Sequence, residues 1–155
     1  MKLSKFFFSP FKIGIAYAHC DIPCGIYDPH QAQLAAHTII RMTNLIGEAG
    51  DDMHKIARIT KVKEDHAELL KHEITVLWAD YFKDEHIKNY PNLHELVFKT
   101  LKLASKTKQE VNLETAEKLL ENVQEIAEIF WKTKGVKTLR IKSPYPTEGE
   151  LVLPK

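Results

Sequence analysis

The sequence is poor in cysteine, and this scarcity limits how the fold can be stabilised. Cys20 and Cys24 are the only cysteines among 155 residues, so a disulfide framework is excluded and a hydrophobic core has to provide the stability. Long apolar runs are also missing, which excludes a conventional membrane-spanning helix. The 22 basic residues nearly balance the 21 acidic ones, unlike the strongly basic surface of nucleic-acid-binding proteins. We therefore expect neither nucleic acid nor a membrane as a partner.

Residues 1–18 differ in composition from the rest of the chain. Two lysines precede an apolar and aromatic stretch, and an Ala-Tyr-Ala sequence ending at Ala18 resembles an A-x-A cleavage site. Pro10 and Lys12 interrupt the apolar stretch, which weakens it as an export signal. We predict that residues 1–18 are a leader removed on maturation, so that His19 becomes the N-terminal residue.

From Asp28 onward, apolar residues recur every three or four positions, a period typical of amphipathic helices. Capping and helix-breaking residues divide this pattern into four long helices. We predict that they begin at Asp28-Pro29, after Asp52, near Pro91 and after Asn112, and that the last one ends near Gly135. Because short connections favour antiparallel neighbours, the predicted fold is all-α, an up-and-down four-helix bundle.

The pattern also predicts which side chains face inward and where the bundle ends. The second helix is expected to bury a stripe that includes Ile59, Val62 and Tyr81. Residues 19–134 then form one domain, with a metal-binding hook ahead of the bundle. Residues 135–155 contain three prolines and no helical period, so we expect an extended tail that packs on a neighbouring subunit or stays loose.

The eight histidines raise the question of a metal site inside the bundle. A di-iron carboxylate bundle needs Glu-x-x-His on two helices, and no glutamate here lies three residues before a histidine. There is also no H-E-x-x-H motif and no second cysteine pair for a zinc knuckle. We therefore interpret the core as structural, and the lysines around the end of the last helix (Lys132, Lys134 and Lys137) as a solvated face.

The segment HCDIPCGIYDP, residues 19–29, concentrates the metal-binding chemistry. If cleavage follows Ala18, His19 offers an α-amine and an imidazole, Cys20 an amide nitrogen and a thiolate, and Cys24 a second thiolate. Square-planar nitrogen and sulfur ligation favours Ni(II) or Cu(II) over tetrahedral Zn(II). Thiolates tend to reduce Cu(II), which favours nickel, and an axial imidazole would stabilise Ni(III). The alternative interpretation is a pair of reduced surface thiols or a local disulfide.

This segment resembles the nickel hook of the nickel-containing superoxide dismutases. Three further segments resemble that family in the same order, namely TVLWADYFKDEH (75–86), YPNLHELVFKTLK (90–102) and IFWKTK (129–134). The resemblance implies a helical bundle assembled as a homohexamer and a leader removed by a dedicated maturation protease. It also implies conversion of superoxide to oxygen and hydrogen peroxide by Ni(II)/Ni(III) cycling, in the cytoplasm. Export is the alternative location.

The resemblance also assigns the site residue by residue. It implies His19, Cys20 and Cys24 as the metal ligands. It places Asp21, Tyr27 and Tyr81 around the open face of the nickel ion as the catalytic residues. Further positions that the resemblance assigns are Pro23 after a cis peptide bond, Lys83 near the site entrance, and Ala35 and His66 where the family has a glutamate and an arginine that hold the axial imidazole.

Two other classes of protein compete with this enzyme hypothesis. A non-catalytic helical protein that stores or delivers nickel or copper would use the same N-terminal donors but release its metal readily. A purely structural bundle would show no dependence on metal.

Overall fold

The computed structural model describes residues 25–155. Four long helices form the bundle: α1 (His30–Gly47), α2 (Met53–Val76), α4 (Leu93–Gln109) and α5 (Leu113–Thr133). A π-helical turn (Leu77–Tyr81) extends α2, and a short helix α3 (Asp84–Asn89) leads into α4. Two strands follow, β1 (Thr138–Lys142) and β2 (Glu150–Pro154). The predicted leader lies outside the described residues.

Capping side chains mark the start of two long helices, and a glycine marks the end of α5. Asp52 accepts a hydrogen bond from the Lys55 N–H at 2.9 Å, and Asn112 accepts one from the Thr115 N–H, also at 2.9 Å. Both are side-chain N-caps, which satisfy donors that the first helical turn leaves without partners. At the end of α5, Gly135 has a φ of 70°, a left-handed conformation that suits glycine.

The helices pack in the order that the short connections predict, which confirms the four-helix bundle. Each long helix contacts its chain neighbours, α1 with α2, α2 with α4 and α4 with α5, and α5 returns to α1. Alanines 32, 35 and 36 of α1 are fully buried, and their small size allows close approach of the neighbouring helices. None of the helices within residues 25–155 is long and apolar enough to cross a bilayer.

The inward stripe of α2 differs from the prediction at Val62. Val62 is exposed, whereas its neighbour Lys63 is only 1% exposed. The Lys63 ammonium donates to the carbonyls of Thr107 at 2.5 Å and Glu110 at 2.6 Å. These carbonyls lie at the end of α4, where the helix has no further N–H groups to offer. A lysine therefore occupies a core position because it caps a neighbouring helix.

The tail after α5 folds as an antiparallel β-hairpin, with Leu139 opposite Leu153 and Ile141 opposite Leu151. It packs on α1 and α5 of its own chain, and Leu151 and Val152 are buried there. We expected an extended segment, on a neighbouring subunit or loose. The structure places the hairpin against its own bundle, where polar side chains of α1 and α5 bind the main chain of β2.

Candidate metal centre

The predicted nickel hook ends one residue before the part of the chain that the structure describes. The predicted ligands His19, Cys20 and Cys24, and the predicted catalytic residue Asp21, lie outside the described residues. Pro23 lies outside them as well. The described chain starts at Gly25, so Tyr27 is the first predicted site residue whose contacts are seen.

Tyr27 and Tyr81 are distant in sequence but contact each other in the fold. Their ring centroids are 5.7 Å apart, and the rings are tilted by 55°. Tyr27 lies in the segment before α1, and Tyr81 ends the π turn. The fold therefore brings together the two predicted catalytic residues that the structure describes.

The π turn determines where Tyr81 lies. The Phe82 N–H donates to the Leu77 carbonyl at 2.9 Å, a bond between residues five apart that holds one more residue than an α-helical turn. We expected Tyr81 to continue the α-helical stripe of α2. The wider turn instead ends the helix at Tyr81, with Phe82 already in an extended conformation. Turns of this kind occur often at functional sites.

Aromatic groups surround the Tyr81 ring and fix its orientation. Phe130 of α5 lies 4.5 Å from it between centroids, and the His86 ring of α3 is stacked on it at 5.6 Å with an interplanar angle of 21°. We call Tyr27, Tyr81, His86 and Phe130 the tyrosine cluster. It joins the segment after the hook, the π turn, α3 and α5.

A backbone hydrogen bond orients the His86 ring in this cluster. The Lys83 N–H donates to the His86 Nδ1 at 3.2 Å. Lys83 itself is exposed and directly precedes α3.

Two residues at the end of α5 complete the cluster, and the sequence did not single them out. The Tyr81 hydroxyl is 2.7 Å from the Thr133 Oγ1. The Lys134 ammonium lies 5.4 Å from the centroid of Tyr81 and 4.9 Å from that of Phe130. Lys134 is exposed, as expected for a solvated face, and its charge also interacts with two aromatic rings. The available signal was its spacing, four residues after Phe130 on one helix.

The two positions at which the resemblance expects partners for the axial imidazole carry other chemistry here. Ala35 is fully buried in the core and offers no polar atom. His66 Nδ1 lies 2.8 Å from the Val62 carbonyl of its own helix. A carbonyl only accepts, so Nδ1 donates, and in the neutral ring Nε2 remains an acceptor.

The donor chemistry of the hook fits nickel. Five nitrogen and sulfur donors of the kind that late transition metals prefer occur in residues 19–24. In residues 25–155, no group of three or more histidine, cysteine or carboxylate side chains is arranged to hold a metal ion. The described part of the chain gathers aromatic rings, hydroxyl groups and a positive charge in and around the tyrosine cluster, which includes Tyr27, three residues after Cys24.

Comparison with known proteins gives the same assignment. Residues 14–134 match the profile of a family described as nickel-containing superoxide dismutase. A superoxide dismutase [Ni] of Streptomyces seoulensis is 42% identical over 132 residues, which cover 85% of this chain and 98% of that protein. The corresponding Streptomyces coelicolor protein is 45% identical over 117 residues, covering 76% and 88%. A native nickel superoxide dismutase structure, 45% identical, superimposes with a TM-score of 0.70 and covers 75% of this chain and 99% of that one.

A four-helix bundle preceded by a segment rich in nitrogen and sulfur donors is typical of a redox metalloprotein. The chain belongs to the nickel-containing superoxide dismutases. It is an oxidoreductase that converts superoxide to oxygen and hydrogen peroxide with a nickel ion. The relatives do not support the alternative of a non-catalytic metal-delivery protein.

Proposed function

We propose that a maturation protease removes residues 1–18 and that His19, Cys20 and Cys24 then hold the nickel ion. His19 would contribute its new α-amine and its imidazole, Cys20 its amide nitrogen and thiolate, and Cys24 the second thiolate. When bound, the nickel ion supplies a one-electron redox couple, whose potential the thiolate and amide donors lower into the range that superoxide can both reduce and oxidise.

The contact between Tyr27 and Tyr81 carries this proposal. Tyr27 follows Cys24 by three residues, so the position of its ring restricts where the hook can lie. The 5.7 Å between the two rings supports a hook whose end lies near Tyr81 and the cluster around it. A metal held by residues 19–24 would therefore have aromatic and hydroxyl groups of the bundle as neighbours.

Asp21, Tyr27 and Tyr81 would then act around the open face of the site. Their polar groups would order water or the incoming anion, and their bulk would keep the site small. Reduction of superoxide to hydrogen peroxide consumes two protons, for which the Tyr27 hydroxyl, the cysteine thiols and ordered water are the candidate donors. The charges of Lys83 and Lys134 would attract the anionic substrate.

The assembly and the location are proposed from the family resemblance. We propose a homohexamer, whose mass in solution can be measured by sedimentation or light scattering. We also propose a cytoplasmic location, with export by the leader as the alternative. Reducing conditions in the cytoplasm would keep both hook thiols available for the metal.

Intact mass combined with metal analysis tests the proposed ligands. The purified protein should begin at His19 and retain nickel through dialysis. Cys20→Ser and Cys24→Ser should each lose the metal and the activity, and so should a chain whose leader cannot be cleaved. His72→Gln, which changes an exposed histidine of α2, is the matched control and should retain both. Active nickel protein that still carries the leader would refute the proposal, as would full activity after both thiols are replaced.

A further inference from the structure

The hydrogen bonds at the end of α5 assign a direction to the Tyr81 hydroxyl. Thr133 has a single hydroxyl proton, and its Oγ1 lies 2.6 Å from the Phe130 carbonyl oxygen. A carbonyl oxygen can only accept, so Thr133 donates there. The bond of 2.7 Å between the Tyr81 hydroxyl and the Thr133 Oγ1 must then have Tyr81 as its donor.

The end of the helix explains why the Thr133 proton is committed to Phe130. In a continuing helix the Lys134 N–H would donate to the Phe130 carbonyl. Here that N–H donates to the Trp131 carbonyl at 3.1 Å, because the last turn tightens. The Phe130 carbonyl is left to the Thr133 hydroxyl, as expected for one of the terminal carbonyls of a helix.

We propose that Thr133 is a positioning residue that makes Tyr81 a hydrogen-bond acceptor toward the metal centre. Tyr81 donates its phenol proton to Thr133 within the bundle. The lone pairs of the Tyr81 oxygen therefore remain available to accept hydrogen bonds from groups at the metal centre. This inference rests on the proposed function, which places the nickel site beside Tyr81.

As a hydrogen-bond acceptor, Tyr81 binds only molecules that have a proton to donate. Water and hydrogen peroxide have protons to donate, so the Tyr81 oxygen can bind them. The superoxide anion only accepts hydrogen bonds, so it gains none from Tyr81. Tyr81 is therefore a binding group for water and product, and the protons that form hydrogen peroxide come from the other candidate donors.

The packing of the Tyr81 ring makes this direction persistent. The ring lies among Phe130, His86 and Tyr27, and the Lys134 ammonium lies over it. The phenol cannot swing to a new partner without displacing several of these groups. Without the Thr133 oxygen, the Tyr81 ring would therefore stay where it is, and its hydroxyl proton would become available to another acceptor.

Infrared spectroscopy of the Tyr81 C–O stretch tests the direction of the bond. The proteins are produced with ring-labelled tyrosine. The Tyr81 band is isolated by subtracting the spectrum of Tyr81→Phe, separately for the nickel-loaded and the metal-free protein. A donating phenol has the stiffer C–O bond, so we expect Thr133→Val to move the stretch to lower frequency. Thr133→Ser should keep the wild-type frequency. Thr133→Ala replaces the valine variant if that variant fails to fold.

Thr38→Val is the matched control. Thr38 is also half-buried in a helix and donates to the carbonyl of Leu34 at 2.9 Å, a bond of the same kind that involves no tyrosine. The Tyr81 stretch should not move in this variant. An unchanged stretch in Thr133→Val, or an equal shift in Thr38→Val, would overturn the assigned direction.

Azide, an anion without a proton to donate, tests the role at the site. In the nickel-loaded enzyme we expect Thr133→Val to bind azide about three- to tenfold more tightly, the gain of one hydrogen bond. A shifted stretch with unchanged azide affinity would overturn the positioning role. If Cys20→Ser and Cys24→Ser retain nickel while the stretch shifts as expected, the proposed ligands fail and the bond direction stands.

Discussion

Gln33 on α1 pairs with the main chain of Val152 on β2 through both ends of its side-chain amide. Nε2 donates to the Val152 carbonyl at 2.9 Å, and Oε1 accepts from the Val152 N–H at 2.7 Å. A third strand would bind the outer edge of β2 in the same way. The glutamine therefore covers a strand edge that would otherwise be open to other chains.

Replacing Gln33 with leucine should release the hairpin from the bundle. Both Val152 groups would lose their buried partners, and we expect a loss of about 2–4 kcal/mol in the free energy of unfolding. Denaturant titration measures it. In a chain shortened to end at Gly135 the same substitution should cost less than about 0.5 kcal/mol. Equal losses in both backgrounds would show that Gln33 does not act through the hairpin.

Gly149→Ala should also weaken the docking of the hairpin. A Cβ at this position would lie 2.8 Å from the His37 Cε1 and 3.2 Å from the Leu120 Cδ2, so the imidazole would have to move. We expect a loss of about 1–3 kcal/mol in thermal or denaturant unfolding. Gly47→Ala is the control, since nothing lies within 4 Å of its added Cβ. That variant should be neutral or slightly more stable.

His37 should make the stability fall at mildly acidic pH. Burial lowers the pKa of its imidazole, and the hydrogen bond to the Glu150 carbonyl opposes this only in part. Below the ordinary value near 6.5, the unfolded chain therefore binds a proton that the folded chain does not. Above pH 6.5, the contribution of His37 to the free energy of unfolding does not change with pH. Below that value, the free energy of unfolding falls by at most about 1.4 kcal/mol per pH unit until the pKa of His37 in the folded protein is reached.

The measurement for His37 is the free energy of unfolding between pH 7.5 and 5, taken as a difference between variants. His37→Gln should remove this part of the slope, and His54→Gln, an exposed position, should leave it in place. If the wild-type and His37→Gln curves run parallel through this range, the proton linkage does not reside at His37.

Lys63→Met should destabilise the protein far more than an exposed lysine would. The substitution keeps the apolar stem but leaves the Thr107 and Glu110 carbonyls without their ammonium donor. We expect a loss of about 2–4 kcal/mol by denaturant titration. Lys61→Met removes an exposed ion pair with Asp65, for which less than about 1 kcal/mol is expected. Similar losses in the two variants would contradict the capping role of Lys63.

Lys134→Gln should lower the rate of superoxide dismutation in a salt-dependent manner. Its charge lies over Tyr81, beside the proposed site, and a charge there raises the encounter rate with an anion. We expect kcat/KM to fall about two- to threefold at low ionic strength and the difference to vanish at high salt. Lys132→Gln, at an exposed lysine near Glu128, should have a smaller effect. A reduction that persists at high salt would indicate a structural effect of Lys134.

The elements that the sequence predicts well depend on neighbours along the chain. Asp52 and Asn112 cap the helices that follow them, and Gly135 ends α5 in a left-handed conformation. The order of the bundle follows from its short connections. The donors of the hook are contiguous, so their chemistry can be recognised before any folding is considered.

The features that sequence reasoning missed depend on groups that are distant along the chain. Lys63 is buried because the end of α4 needs a donor, whereas the apolar pattern of α2 alone favours Val62 at the inward position. Tyr81 departs from the α-helical stripe because a π turn ends the helix.

By itself, therefore, the sequence determined the helical bundle, the candidate metal-binding segment and the family. Each can be recognised from local periodicity, from capping residues or from a continuous motif. Only the tertiary structure decided that the tail docks on its own bundle through Gln33, and that Thr133 and Lys134 meet Tyr81. The physical reason is that these contacts join side chains and main chain from separate elements, and such partners are selected only when the elements pack.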